Sequence, residues 1–363
     1  MEVSKKERIL IVAEKGREVY GGLISSLSNE FIVRELYAVS DPSKPPFLLV
    51  RWFLLINNWR KSLKKFRPDE VVICGGSLIS VWIIIFLIRA FTLNIQVILF
   101  RYDIEYFWPK PKGLSASIKH FISLKLEKFC FVNSDKILHK GMRNELEHLP
   151  FYNKLKGKPA YLFREFLNKD LIQDYNSKIK LSKNDKEVHL VYVGGLYFED
   201  LSSTESFWRF YPKITKQKIH LHIYSNQPVS VIKKFKKIEE KNPYFHYEGH
   251  KSHNKLVTEL VKYDYGVHMF GGGASKKNDL VVAFSNKNYD YIAAGLPIIV
   301  SNDLKAVKEF VLENDLGLAV DYKDIFKIKN KLIKNKCNYR KSVKGFIKNF
   351  KGDRLIAFIK NDK

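Results

Sequence analysis

The sequence predicts an α/β protein of two domains, each a parallel sheet flanked by helices. Three observations point there. The chain has 363 residues, well beyond a typical domain of about 150. Short apolar runs alternate with helix-like stretches, the pattern of βα units with right-handed crossovers. A polar stretch from Asn168 to Glu187, rich in Lys, Asn, Asp and Ser, reads as a linker, and the pattern restarts after it. The expected domains are residues 1–170 and 186–340, with a helix over 341–363 packing back towards the first.

In the first half, Ile9–Ala13 is a continuous apolar run, as expected for a strand buried on both faces. Gly16, Gly21 and Gly22 follow, and a helix begins near Leu23. Further strands are expected at Ile32–Val39, Val71–Cys74, Gln96–Phe100, Lys136–His139 and Ala160–Phe163. Val71–Ile88 carries no formal charge, so it invites comparison with a membrane span. Gly75, Gly76 and Ser77 interrupt it, and Asp69, Glu70 and Arg89 bound it. A buried strand, a tight turn and an apolar helix is the expected reading. In the second half the strands are His189–Val193, His220–Tyr224, Phe245–Glu248, Tyr265–Phe270, Pro297–Ser301 and Gly317–Val320, followed by basic helices.

Composition narrows the function classes. With 45% hydrophobic and 14% aromatic residues the chain can build packed cores. The formal net charge of +25 favours anionic partners: nucleic acid, acidic lipid head groups or diphosphates. It also suits a Lys-rich solvated surface. There is no nucleic-acid module pattern, so nucleic acid is not an expected partner. Cys74, Cys130 and Cys337 lie far apart and form no CxxC pair, which argues against a disulfide scaffold or a thiolate zinc site. They fit a reducing cytoplasm. Met1–Arg8 is charged and runs straight into the first strand, so no secretory signal is expected.

The most specific stretch is Ser285–Pro297, SNKNYDYIAAGLP. Ser285 or Asn286 can cap a helix that Gly295 ends and Pro297 prevents from continuing. Lys287 lies three residues before Asp290 and four before Tyr291, so the three are neighbours on the helix surface. A helix N-terminus with a lysine in its first turn suits a diphosphate, and Asp290 can accept ribose hydroxyls. The same spacing also suits an ordinary surface Lys–Asp pair.

The whole segment resembles the donor-binding helix of glycosyltransferases with the GT-B fold, family 4-like and nucleotide-sugar dependent, in which N-K-x-x-[ED]-Y-x-A-A-G-x-P recurs. Tyr263–Val267 resembles the aDxG strand before the donor loop of that family, and Glu248-Gly249-His250 the turn that meets the base. Val191–Leu196 resembles the opening strand and glycine turn of its C-terminal domain. Glu127 and Asn133–Ile137 resemble an N-terminal region of the same fold. The resemblance implies two Rossmann-like domains with parallel sheets facing an interdomain cleft, and a UDP- or GDP-sugar donor as substrate, with no cofactor required. It implies that Lys287, with Ser285 and Asn286, contacts the donor phosphates and that Asp290 contacts ribose or sugar. It further implies that Gly21 and Gly22 form a loop over the diphosphate, that Gly194 and Gly195 make the glycine turn, and that His250 lies against the base. Many retaining members carry Glu-x7-Glu; here Val282 stands at the first acid, and no base follows Gly195, since the next residues are Leu196–Asp200.

Gly271-Gly272-Gly273 offers backbone N–H groups to an anion, which makes Gly272 a donor-loop candidate, or forms a surface loop. For the base that an inverting transfer needs, Asp103 after the Gln96–Phe100 strand comes first, then Glu105, then His139. No metal-ligand cluster is visible along the chain. Phe47–Phe66 is apolar and aromatic, then basic, with Arg51, Trp52, Trp59, Arg60, Lys61, Lys64 and Lys65. That mixture suits a helix on an anionic membrane surface, or a core-packed helix with a basic outer end. The expected function is sugar transfer from a nucleotide sugar to a glycan or lipid-linked acceptor in cell-surface polysaccharide biosynthesis, in the cytoplasm at the inner face of the plasma membrane. The alternatives are a nucleotide-sugar epimerase and a non-catalytic donor-binding homologue.

Overall fold

The computed structural model describes the chain except residues 1–5, 14–20, 29, 38–47, 75–77, 92–93, 102–103, 108–110, 165–166, 174–178, 197–206, 270–283, 351–352 and 361–363. It forms two compact units. One comprises Met1–Phe166 with Lys351–Lys363, the other Leu167–Phe350.

The first unit holds β1 (Arg8–Ala13), α1 (Gly21–Ser28), β2 (Ile32–Tyr37), α2 (Leu48–Phe66), β3 (Glu70–Cys74), α3 (Leu78–Ala90), β4 (Gln96–Phe100), α4 (Leu114–Asn133), β5 (Lys136–His139) and β6 (Ala160–Leu162). The strands lie in the order β2-β1-β3-β4-β5-β6, and every neighbouring pair is parallel. Strands β1, β3 and β4 are almost wholly buried, because helices cover both faces of such a sheet. Leu10, Val12, Val71, Ile73, Val97 and Leu99 meet Ile84, Ile85 and Ile88 of α3 in the core. The uncharged run is thus a central strand and a helix packed on it, and no described helix is long and apolar enough to cross a membrane.

The second unit adds a short α5 (Ser182–Asp185), β7 (Val188–Val193), α6 (Phe207–Thr215), β8 (Ile219–Tyr224), α7 (Val229–Glu239), β9 (Phe245–Gly249), α8 (His253–Leu260) and β10 (Tyr265–His268). It continues with α9 (Lys287–Ala293), β11 (Ile298–Ser301), α10 (Lys305–Glu313), β12 (Gly317–Val320) and α11 (Lys329–Asn349). Its sheet order is β12-β11-β10-β7-β8-β9, again all parallel. The order reverses between β7 and β10, the topological switch point of a doubly wound sheet. One face packs Leu190, Tyr192, Leu221, Ile223 and Tyr265 against Phe207, Phe210, Phe235 and Leu332.

The described residues depart from the sequence reading in several places. The polar stretch read as a linker belongs to the second unit. Gln173 N–H donates to Ala293 O (2.9 Å), Leu181 N–H to Lys262 O (3.0 Å), and the buried Lys180 donates to Tyr263 O (2.5 Å). The Lys180 and Ser182 side chains are taken up by Tyr263 and Asp264, which composition does not reveal. Gly21 and Gly22 form the first turn of α1 rather than a loop. The α11 helix runs through residue 341 and stays in the second unit, and only the segment from Lys351 joins the first. The expected strand Tyr265–Phe270 ends at His268.

That last segment carries α12 (Asp353–Lys360). Buried Lys136 donates to Ile359 O (2.6 Å) and Phe358 O (3.2 Å), satisfying carbonyls that the helix end leaves open. Tyr161 stacks on Phe358 at 5.4 Å.

Candidate functional site

The Ser285–Pro297 segment folds into α9 and a tight stop. Leu296 N–H donates to Tyr291 O and Gly295 N–H to Ile292 O, both at 2.8 Å, the paired bonds of a Schellman ending. Gly295 sits at φ 69°, where residues with a Cβ are strained. Asn286 occupies the cap position with helical backbone angles and makes no side-chain capping bond, contrary to expectation. Asn288 instead reaches back to Ser285 O (2.8 Å).

Two side chains of α9 reach the switch point of the sheet. Tyr291 hydroxyl accepts from Val193 N–H (3.0 Å) and donates to Val267 O (3.1 Å), tying β7 to β10. Its ring fits because residue 266 is glycine: a Cβ there would lie 2.2 Å from the ring. Lys287 is half-buried, its ammonium 4.3 Å from the Tyr192 ring centre and 3.2 Å from the Tyr192 hydroxyl. It also lies 3.5 Å from where a Cβ of Gly194 would stand, and Gly194 is at φ 114°. The glycine turn and the lysine are therefore adjacent just beyond the carboxyl end of β7. Burial lowers the Lys287 pKa to about 8, opposed by the negative charge of Asp290.

Around this pair, Asp290 receives His253 Nε2 at 2.8 Å. His268 is buried, its Nδ1 2.9 Å from Asn288 Oδ1, and burial together with the nearby Lys287 charge pushes its pKa down to about 3. Gly195 and His250 are exposed, and Gly249 turns at φ 76°. Gly272 and Val282 lie outside the described residues. The sequence reading missed Tyr192, His253 and His268. Tyr192 is an inconspicuous strand aromatic, and His253 stands 37 residues from its partner, so neither leaves a local signal.

In the first unit, Asp103 lies outside the described residues. Glu105 begins a single 3-10 turn whose backbone N–H donates to Glu127 Oε1 (3.1 Å), and Tyr106 N–H donates to Glu127 Oε2 (3.3 Å). Glu127 is fully buried and paired with Arg101 at 3.3 Å; burial raises its pKa, opposed by that guanidinium. Thus Glu127 positions the Glu105 turn. His139, at the carboxyl end of β5, is buried with Nδ1 2.7 Å from Glu145 Oε1, which also accepts from Gly141 N–H (3.2 Å). A carboxylate on Nδ1 holds the hydrogen there and leaves Nε2 as the acceptor. Glu145 was not singled out from sequence, because only the fold closes the five-residue loop between them.

Asp264 and Asp135, both in motif-like positions, are structural. Asp264 is buried between Lys336 (2.5 Å) and Arg340 (2.7 Å) and accepts from His189 N–H (3.0 Å). Asp135 pairs with Arg89 (2.6 Å) and accepts from Val97 N–H (2.7 Å).

Two parallel six-stranded sheets with flanking helices, the second with its switch point beside a lysine and a glycine turn, define a GT-B fold. Residues 209–350 match the family model of the glucosyltransferase 3-like C-terminal domain, ending at the same residue as the second unit. Solved structures agree on the fold. WaaG, a glycosyltransferase involved in lipopolysaccharide biosynthesis, is 11% identical with a TM-score of 0.59, covering 97% of this chain and 100% of its own. Sucrose-phosphate synthase from Thermosynechococcus elongatus is 13% identical with a TM-score of 0.58, covering 98% and 97%. The UDP-GlcNAc 2-epimerase of Neisseria meningitidis bound to UDP-GlcNAc is 11% identical with a TM-score of 0.59, covering 97% and 99%. No curated protein matches the chain.

Proposed function

We propose that the protein is a glycosyltransferase that takes a hexose from a UDP- or GDP-sugar, holding the donor diphosphate with Lys287. The observation that carries this reading is the adjacency of the Lys287 ammonium and the Gly194 turn at the switch point of the second sheet. A glycine there lets a phosphate approach the backbone, and a half-buried ammonium interacts with it more strongly than a solvated one. Asp290, steadied by His253, is placed to accept sugar or ribose hydroxyls. His139, oriented by Glu145, is the base for the acceptor hydroxyl, ahead of Glu105 and Asp103, since it alone of the described candidates has an orienting carboxylate on its far nitrogen. A single displacement assisted by such a base inverts the anomeric centre.

The acceptor side of the reading is a lipid-linked glycan at an anionic membrane. It is supported by α4, where Leu114, Ile118, Phe121 and Ile122 are all exposed on one face near Lys112, Lys119 and Lys125. This moves the proposed surface from α2, which buries Trp59 while Arg60, Lys61, Lys64 and Lys65 stay exposed.

Thermal-shift titration with UDP-, GDP- and dTDP-sugars tests the donor reading. UDP- or GDP-sugars are expected to raise the melting temperature, and Lys287→Ala to weaken binding about 10- to 100-fold, the worth of a charged hydrogen bond. No shift with any nucleotide sugar would refute it. With a donor and lipid-linked acceptor, His139→Gln is expected to lower kcat about 10²- to 10⁴-fold with little change in donor affinity. Donor turnover to an epimer without acceptor would instead identify an epimerase.

A further inference from the structure

The second sheet has a polar side. Residues that alternate with its aromatic core face the other way, which places His189 on β7, His220 and His222 on β8 and His246 on β9 together. The strand registers set His189 opposite His220 and His222 opposite His246. The rings stack in the same pairs, each with centroids 4.3 Å apart. His189 and His222 are buried, while His220 and His246 are partly open to solvent.

Carboxylates close both ends of this array. Asp185 Oδ2 lies 2.9 Å from His189 Nε2 and 3.5 Å from His220 Nε2, and Glu248 Oε1 lies 2.8 Å from His222 Nδ1. A carboxylate only accepts, so the two nitrogens hydrogen-bonded to one, His189 Nε2 and His222 Nδ1, carry a hydrogen, and a neutral imidazole has one hydrogen to give. The inner nitrogens, His189 Nδ1 and His222 Nε2, then present lone pairs to each other across 3.0 Å. Such an arrangement calls for a shared cation. Nitrogen–zinc bonds of about 2.0–2.1 Å put adjacent tetrahedral ligands about 3.3 Å apart, close to the separation seen. His220 Nδ1 lies 2.9 Å from His246 Nε2, and one nitrogen from each of His189, His220 and His222 falls within 4.8 Å of the other two. Histidine ligands whose outer nitrogens are held by carboxylates are the usual build of a metal centre.

We propose that His189, His220 and His222 bind a borderline divalent cation of the zinc type, with Asp185 and Glu248 orienting the ligands. Imidazoles favour such an ion over magnesium or calcium, which prefer oxygen. The ligands lie in the first four positions of β7 and β8, away from the carboxyl end of β7 where Gly194 and Lys287 meet, so the ion braces two strands and does not take part in sugar transfer.

Tag-free, chelator-treated protein titrated with zinc chloride should take up one ion per chain by elemental analysis after dialysis. It should melt at a higher temperature in proportion to the logarithm of free zinc. Cobalt chloride should give the visible absorption of a low-coordinate nitrogen site. His189→Gln and His222→Gln should each abolish uptake, and His148→Gln, an exposed histidine outside the array, should leave it intact. Absence of stoichiometric uptake by the unaltered protein overturns the proposal and assigns the shared cation as a proton. Equal uptake by the His189 and His222 variants overturns it too.

Discussion

At the scale of single residues, Lys287 and Tyr291 divide the labour of one helix. Lys287 has a folded pKa of about 8, below its ordinary value of 10.5, because burial penalises the ammonium. Between those values the unfolded chain holds a proton that the folded chain has released, so the lysine's cost to folding is relieved and its contribution to stability rises with pH. Donor affinity should move the opposite way, falling above about pH 8 as the ammonium is lost. Isothermal titration with UDP-glucose from pH 6.5 to 9.5 checks this, and an unchanged affinity in that range would remove Lys287 from the phosphate site. Tyr291 is a strut. Gly266→Ala forces a methyl into its ring and should destabilise the fold by about 1–3 kcal/mol, read as a lower urea midpoint.

At the scale of elements, the α5 segment shows how polar residues become tertiary parts. Lys180, Ser182, Lys336 and Arg340 gather at the Tyr263–Asp264 corner before β10. Asp264→Asn would leave cations without their buried partner, so a loss of about 3–5 kcal/mol is expected in chemical denaturation. The Asp264 pKa is held below its ordinary value by Lys336, His189 N–H and Arg340, against the opposing cost of burial. Its stabilising effect is therefore complete above the unfolded carboxylate pKa and is lost as pH falls through the lower folded value. Composition alone made this stretch look like a linker; pairing decided otherwise.

At the scale of the molecule, a net charge of +25 and an apolar, lysine-bordered face on α4 suit an acidic lipid surface. Flotation with phosphatidylglycerol vesicles at low salt should recover the protein. Ile118→Asp combined with Phe121→Asp should leave it unbound, and neutral phosphatidylcholine vesicles should recover little. Binding that survives the double substitution would move the contact elsewhere on the surface.

The amino-acid sequence by itself determined the two α/β halves, the twelve described strands to within a few residues, and the helix that Gly295 and Pro297 bring to an end. Those features rest on apolar periodicity and on local backbone chemistry, which neighbouring residues dictate. It also marked Lys287 and Asp290, whose spacing is local. Only the tertiary structure decided that Tyr291 bridges β7 and β10, that Glu145 orients His139 and that Glu127 holds the Glu105 turn. It alone brought His189, His220 and His222 together from two strands. Each of these depends on strand order and register, which bring distant residues within hydrogen-bond range and leave no periodic trace along the chain.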